Sequence, residues 1–226
     1  MISAWLNAVA WLSLILAAIS AAIILVDLAR RPQKMAIMNW VWPITALYAG
    51  PFAIWAYWQF GRPASRKAIA QNGGKTHDKP FWATVTVGVT HCGAGCTLGD
   101  IIAEFTIFFG ALSVAGSVLW AEFIGDYILA YALGIVFQYF TIAPMRGLSF
   151  GPGIWAAIKA DTLSLTAFEV GLFGWMALVY FVLFHPHLKP DQAMYWFMMQ
   201  MGMLIGFATS YPMNWWLVRR GIKEAM

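Results

Sequence analysis

Charge is scarce in this sequence. Of its 226 residues only 11% are Asp, Glu, Lys or Arg, where soluble domains carry about 25%. The mean hydropathy of +0.68 agrees that too little polar surface is present to clothe a soluble domain. Polar linkers are scarce as well. The longest, GRPASRKAIAQNGGKTHDKP at 61–80, leaves little chain for a separate soluble unit. The chain 1–226 therefore reads as a single integral membrane domain, with 61–80 as a basic loop on the cytoplasmic side. Cysteine is nearly absent: Cys92 and Cys96 stand alone, which excludes a disulfide framework. No ATP-binding motif and no CxxCH haem attachment occurs, so neither nucleotide nor haem is expected. No basic stretch precedes the first apolar run, which exceeds the usual signal-peptide core of about 7–15 residues and so reads as a span.

What is present in abundance is long apolar sequence. Residues 4–26, AWLNAVAWLSLILAAISAAIILV, contain no charge and suffice to span a hydrocarbon core of about 30 Å. The pattern predicts an all-α transmembrane bundle of about six spans, at 4–29, 35–60, 81–112, 117–143, 160–184 and 192–218. Proline and glycine mark the breaks: Pro32, Gly61–Pro63, Pro144, Gly151–Gly153 and Pro186. A short amphipathic piece, IWAAIKA, precedes the fifth span. Many tryptophans flank the runs, as at a membrane interface.

The net charge of +4 sits at span ends rather than in a nucleic-acid patch: Arg30, Arg31, Lys34, Arg62, Arg66, Lys67, Lys75, Lys79, Arg219, Arg220 and Lys223. Counting back from a cytoplasmic C-terminus, four loops obey the positive-inside rule. The first, with Arg30, Arg31 and Lys34, does not. A second span bent or re-entrant at Pro43 and Gly50–Pro51 removes the conflict. A third span divided at Gly93–Gly99, giving seven crossings, moves it onto 61–80.

The third span carries the chemistry. In TVTVGVTHCGAGCTLGDIIAEF, residues 84–105, Cys92, Cys96, Asp100 and Glu104 recur every fourth residue. On a helix they share one drifting face, about 6 Å apart per step, with His91 beside its start. Ionisable groups inside a span cost about 2.5–3.5 kcal/mol each, so they persist where a partner, cavity or ion meets them. Thiolates and imidazole suit copper and zinc, and carboxylates widen the choice. His91, Cys92, Cys96, Asp100 and Glu104 are therefore the expected metal ligands, to be completed from other spans. Secondary candidates are Asp126, Asp161, Glu169, Met194, Met198 and Met201. Glu122 lies one turn before Asp126 in the fourth span and reads equally as interfacial. Asp161 and Glu169 are offset by about 80° around a helix, with Arg146 and Lys159 as candidate ion-pair partners. Gln138, Gln200 and Asn214 add polarity. The small residues Gly93, Ala94, Gly95 and Gly99 could instead serve close helix packing, and the methionines read first as gap fillers and second as ligands.

The segments HCGAGCTLGD (91–100), FQYFTIAPMRGLS (137–149), KADTLSLTAFEVG (159–171) and FATSYPMNWWL (207–217) resemble a bacterial membrane family known as domain of unknown function 4396. The resemblance extends over nearly the whole chain and implies the bacterial inner membrane. It transfers no activity, although some relatives carry copper-related names.

The expected function is binding, and transport or delivery, of a soft transition-metal cation, copper ahead of zinc. Energy would come from a gradient or another subunit. One alternative is a thiol-redox protein cycling Cys92 and Cys96 against a quinone or partner thiol. Another is a structural subunit. The enzyme question stays open, leaning to no. The expected partners are the lipid bilayer and the metal ion, with a homo-oligomer or complex partner left open and no nucleic acid.

Overall fold

The computed structural model describes residues 3–75 and 78–224. Thr76 and His77 of the 61–80 loop lie outside the described residues. Among these the chain is helical, with no strand. Helix α1 spans Ala4–Arg30, α2 Met38–Ala49, α3 Pro51–Ala56, α4 Arg66–Gln71, α5 Phe81–Gly110, α6 Val118–Arg146, α7 Phe150–Leu178 and α8 Ala193–Arg219. A π-helical turn, Val179–Leu183, extends α7. Four helices, α1, α5, α6 and α7 with its extension, are long and apolar enough to cross a membrane.

The surface is inverted relative to a water-soluble protein. Trp11, Ile15, Ile19, Phe109, Ile128, Phe140, Val170 and Phe181 face outward. Asp100, Glu104, Asp126, Gln138, Asp161, Glu169 and Asn214 are buried. A lipid solvent accounts for both halves of that distribution.

Tight pairing of α5 with α6, and of α7 with α8, builds the interior. Gly95 abuts the backbone of Gly134, with a Cβ position only 3.0 Å from its Cα, and Gly99 is closer still to Ala130. On α8, Gly206 faces the backbone of Phe168 and Gly202 faces Leu172. These are small-xxx-small contacts that let backbones approach. The packing account of Gly95 and Gly99 is therefore correct, and α5 runs unbroken through Gly93–Gly99. At 30 residues, α5 is about 45 Å long.

Residues 35–60 do not form a straight span. Gly50 adopts φ +53°, ψ −133°, a conformation natural to glycine, and Pro51 begins α3. The chain then reverses. Lys34 N–H donates to Ala64 O at 3.3 Å, and Arg66 N–H to Pro32 O at 3.0 Å. Both ends of the segment thus lie at the same end of the bundle, making it a helical hairpin, the re-entrant form of the bent second span. Its return limb is pinned to α1 by Tyr57 Oη donating to Asp27 Oδ2 at 2.8 Å and by Arg62–Asp27 at 3.4 Å. Because Pro51 has no N–H, the Leu47 carbonyl lacks its helical donor. Gln200 Nε2 of α8 supplies one at 2.7 Å, while Gln200 Oε1 accepts from Ser13 Oγ of α1 at 2.7 Å. Gln200 is thus a clamp among three elements.

Two expected boundaries shift. Pro144 lies within the last turn of α6, which continues to Arg146. The IWAAIKA piece belongs to the first turns of α7, since no residue between Phe150 and Leu178 interrupts the helical hydrogen bonding after Gly153 N–H bonds Ser149 O at 2.9 Å.

Candidate functional site

The α5 stripe is buried throughout: Cys92, Cys96, Asp100 and Glu104 are each at most 2% exposed. Its spacing by four keeps all four on the face that α7 and α8 cover. Both cysteines are free thiols. Around them the structure gathers groups from every other long element of the interior. Glu169 of α7 lies beside Cys96 and Asp100. Tyr48, at the hairpin tip, faces Cys92 and Cys96, its hydroxyl fitting against Gly93, where a Cβ would lie 3.0 Å away. Glu104 faces Asp126 of α6 and Tyr195 of α8. Glu122 approaches Glu104 from the start of α6.

These groups form a file. From the end of the bundle opposite the basic loops it runs Glu122, Glu104 with Asp126 and Tyr195, Asp100 with Glu169, then Cys96, Cys92 and Tyr48. Lys223 is the one buried Lys or Arg among the described residues, and it lies beyond the thiols toward the basic end. Both oxygens of Asp100 and of Glu169 are buried without a hydrogen-bond partner among the described residues, as are Glu104 Oε2, Asp126 Oδ1 and the hydroxyls of Tyr48 and Tyr195. An unsatisfied buried polar group costs about 1–3 kcal/mol, more for a charged one. So dense a set of acceptors is chemistry suited to a cation or to protons.

A cavity of about 360 Å³ adjoins the Glu122 end of the file, with Glu122, Tyr195, Tyr180, His187 and Lys189 among its walls. The His187 ring stacks on Tyr180 at a centroid distance of 3.7 Å.

His91 is set apart from the thiols, although adjacent in sequence. Its Nε2 meets Thr141 Oγ1 at 3.1 Å, and Thr141 donates its proton to Phe137 O at 3.2 Å. His91 Nδ1 is buried and unpartnered among the described residues. His91 faces Lys223 and Asp161. The sequence offered Arg146 and Lys159 as partners of Asp161, and the structure pairs it with neither. Asp161 meets Lys223 at 3.4 Å, while Arg146 pairs with Glu224 and Lys159 lies over Trp155.

Among the described residues, no three His, Cys, Asp or Glu side chains already converge as a ligand cluster. The expected five-residue set is thus a line rather than a sphere. Cys92, Cys96, Asp100 and Glu104 follow α5, and His91 turns toward α6. Met194 and Met198 pack in the same core as the cysteines, along with Met199 and Met203. Met203 Sδ takes a contact from Thr97 Oγ1 at 3.6 Å, and Met201 is outside that core and half-buried. Tyr48, Tyr195 and Lys223 escaped the sequence reading. An uncharged tyrosine in or beside an apolar run carries no signal of its own, and Lys223 looked like span-end charge.

Comparison with curated proteins and with solved structures finds no match. The family model called Domain of unknown function matches Phe81 to Lys223, the stretch that contains α5 to α8 and every acid of the file, with α1 and the hairpin outside it. On that match, covering more than half of its residues, the chain belongs to the family Domain of unknown function (DUF4396).

Proposed function

We propose that this protein is an integral membrane protein that binds a soft transition-metal cation, copper before zinc, at Cys92 and Cys96 and moves or delivers it along the acidic file. The observation that carries the reading is the file itself: two thiols and four carboxyls buried in a bundle with an apolar exterior, with half-buried Glu122 at one end, in sequence from that end inward. Cys92 and Cys96 supply thiolates, the ligands a soft cation prefers. Binding releases thiol protons, and Asp100 and Glu169 stand next to Cys96 to receive them. The cavity at Glu122, Tyr195 and His187 is the entrance.

The same reading sets the protein in the bacterial inner membrane with five crossings, α1, α5, α6, α7 and α8, and a re-entrant hairpin. Every Lys and Arg except Lys189 then falls on the cytoplasmic side, the first loop included, and the positive-inside rule is obeyed throughout.

Protein purified without oxygen and exposed to Cu(I) should retain about one copper per chain, because a thiolate pair binds it against proton release. The double variant C92S/C96S should retain none above background. Equal copper in both overturns the thiol site. Thiol counts that instead cycle between reduced and oxidised buffers, with no copper held, would favour the redox alternative.

A further inference from the structure

Lys223 follows the end of α8, yet it is among the most deeply buried side chains of the bundle, with no exposure of its side chain. Gly221, at φ +68°, reverses the chain, and Ile222 N–H and Lys223 N–H both return to Leu217 O, at 3.0 and 3.3 Å. The lysine stem then runs inward. Its Nζ donates to Asp161 Oδ1 at 3.4 Å and to Ser164 Oγ at 3.1 Å. Ser164 is itself fixed: Asn214 Nδ2 donates to its Oγ at 2.8 Å, and Ser210 Oγ donates to its carbonyl at 3.0 Å. Two acceptors on α7 therefore hold an ammonium that arrives from the turn after α8.

The pair is incompletely satisfied. An ammonium has three protons to give and finds two acceptors here. Asp161 Oδ2 rests against Gly134 without a hydrogen-bond partner among the described residues, and His91 Nδ1 is likewise unpartnered among them. Gln138, one turn beyond Gly134 on α6, is wholly buried with both ends of its amide unpartnered among the described residues. A purely structural ion pair gains from satisfying its remaining lone pairs. This one leaves acceptors over, next to an imidazole nitrogen able to ligate.

The geometry points to a second cation site at the basic end of the bundle, built from Asp161 and Ser164 with His91 beside them, whose resident is the chain's own Lys223 ammonium, displaced when a cation arrives. Its place in a transport cycle rests on the cation-path reading above; its existence as a site does not. Displacement conserves charge sign. The incoming cation takes the Asp161 carboxylate, and Lys223 swings to water about Gly221. The Arg146–Glu224 pair holds the segment at the bundle mouth. Lys223 is thereby a tethered plug that keeps the inner acid neutralised between arrivals.

Zn(II), which accepts carboxylate and imidazole alike, is a suitable probe. Equilibrium dialysis of Zn(II) is run on the native chain, K223M, K223R and K223M/D161N, each also in the C92S/C96S background. K223M should bind about one more Zn(II) per chain than its parent in either background, with K223R and K223M/D161N showing no gain. No gain in K223M eluting as one monodisperse peak overturns the site. A measurement on the unsubstituted lysine guards against misfolding. Acylation of Lys223 by a small amine reagent, read by mass spectrometry against exposed Lys67, should be slow in C92S/C96S protein and rise at least about tenfold with saturating Zn(II), as expected for a buried amine brought to water. Protection that zinc leaves unchanged overturns the displacement. Since these comparisons hold without the cysteines, loss of the copper result at Cys92 and Cys96 would leave them intact.

Discussion

At the scale of single residues, the central question is what Asp100 and Glu169 contribute. They stand in the interior without bases beside them, and neither carboxyl finds a hydrogen-bond donor among the described residues. Were they there only to join helices, replacing one carboxyl with an amide of the same shape would keep the packing and at most lose a contact. As acceptors of thiol protons and neighbours of bound metal, they would be missed by the metal. Groups of this kind typically change affinity by about 10–100-fold. Glu169→Gln should therefore weaken Cu(I) binding by about tenfold or more, while its thermal unfolding temperature in detergent stays at or above that of the native chain. Competition with a chelator of known copper affinity measures the first and a melting scan the second. A large fall in melting temperature with unchanged copper affinity would instead make Glu169 a structural group.

At the scale of elements, close approach of α5 to α6 is what lines the file up. Gly99 sits so near Ala130 that any side chain must push the helices apart. Gly99→Val should destabilise by about 1–3 kcal/mol, the usual cost of overpacking, seen as a lower unfolding midpoint. Gly174→Ala, in α7 with open space where the Cβ would go, should be neutral or slightly stabilising because alanine is the better helix former. Here the sequence was informative in one direction. A period of four on α5 places Cys92, Cys96, Asp100 and Glu104 on one face, and the face is buried as a unit. Periodicity within a helix says nothing about which residue of another helix lies opposite. Glu169 beside Cys96, Tyr195 beside Glu104 and Tyr48 beside Cys92 were thus beyond its reach. His91 shows the complementary failure. Adjacent in sequence to Cys92, it is rotated by about 100° and finds Thr141 instead. Gly50–Pro51 was legible as a break, and the charge of the first loop made a reversal there one of two ways out; the choice between them needed the bonds Lys34 to Ala64 and Arg66 to Pro32, between residues far apart in the chain.

At the scale of the whole molecule, the hairpin decides how charge is distributed across the membrane under the proposed insertion. If 35–60 crossed, Lys34 and Lys67 would lie on opposite sides. Arg30, Arg31 and Lys34 would then sit where basic residues are disfavoured. With the hairpin re-entrant, Lys34, Lys67 and Arg220 share a side, and the outer end of the bundle keeps only Lys189. On that insertion the acidic file gains a direction: its Glu122 end is on the side of Lys189, and its thiol end, with Asp161 and Lys223 beyond it, is on the side of the basic loops. All four of these basic residues are exposed, so single cysteines at each, in a C92S/C96S background, can report their side. An impermeant maleimide applied to intact cells should label the Lys189→Cys variant alone. Applied to inverted membrane vesicles, it should label Lys34→Cys, Lys67→Cys and Arg220→Cys. Labelling of Lys34→Cys and Lys67→Cys from opposite sides would restore a full crossing at 35–60. It would also remove Tyr48 from the tip of a hairpin aimed at the thiols.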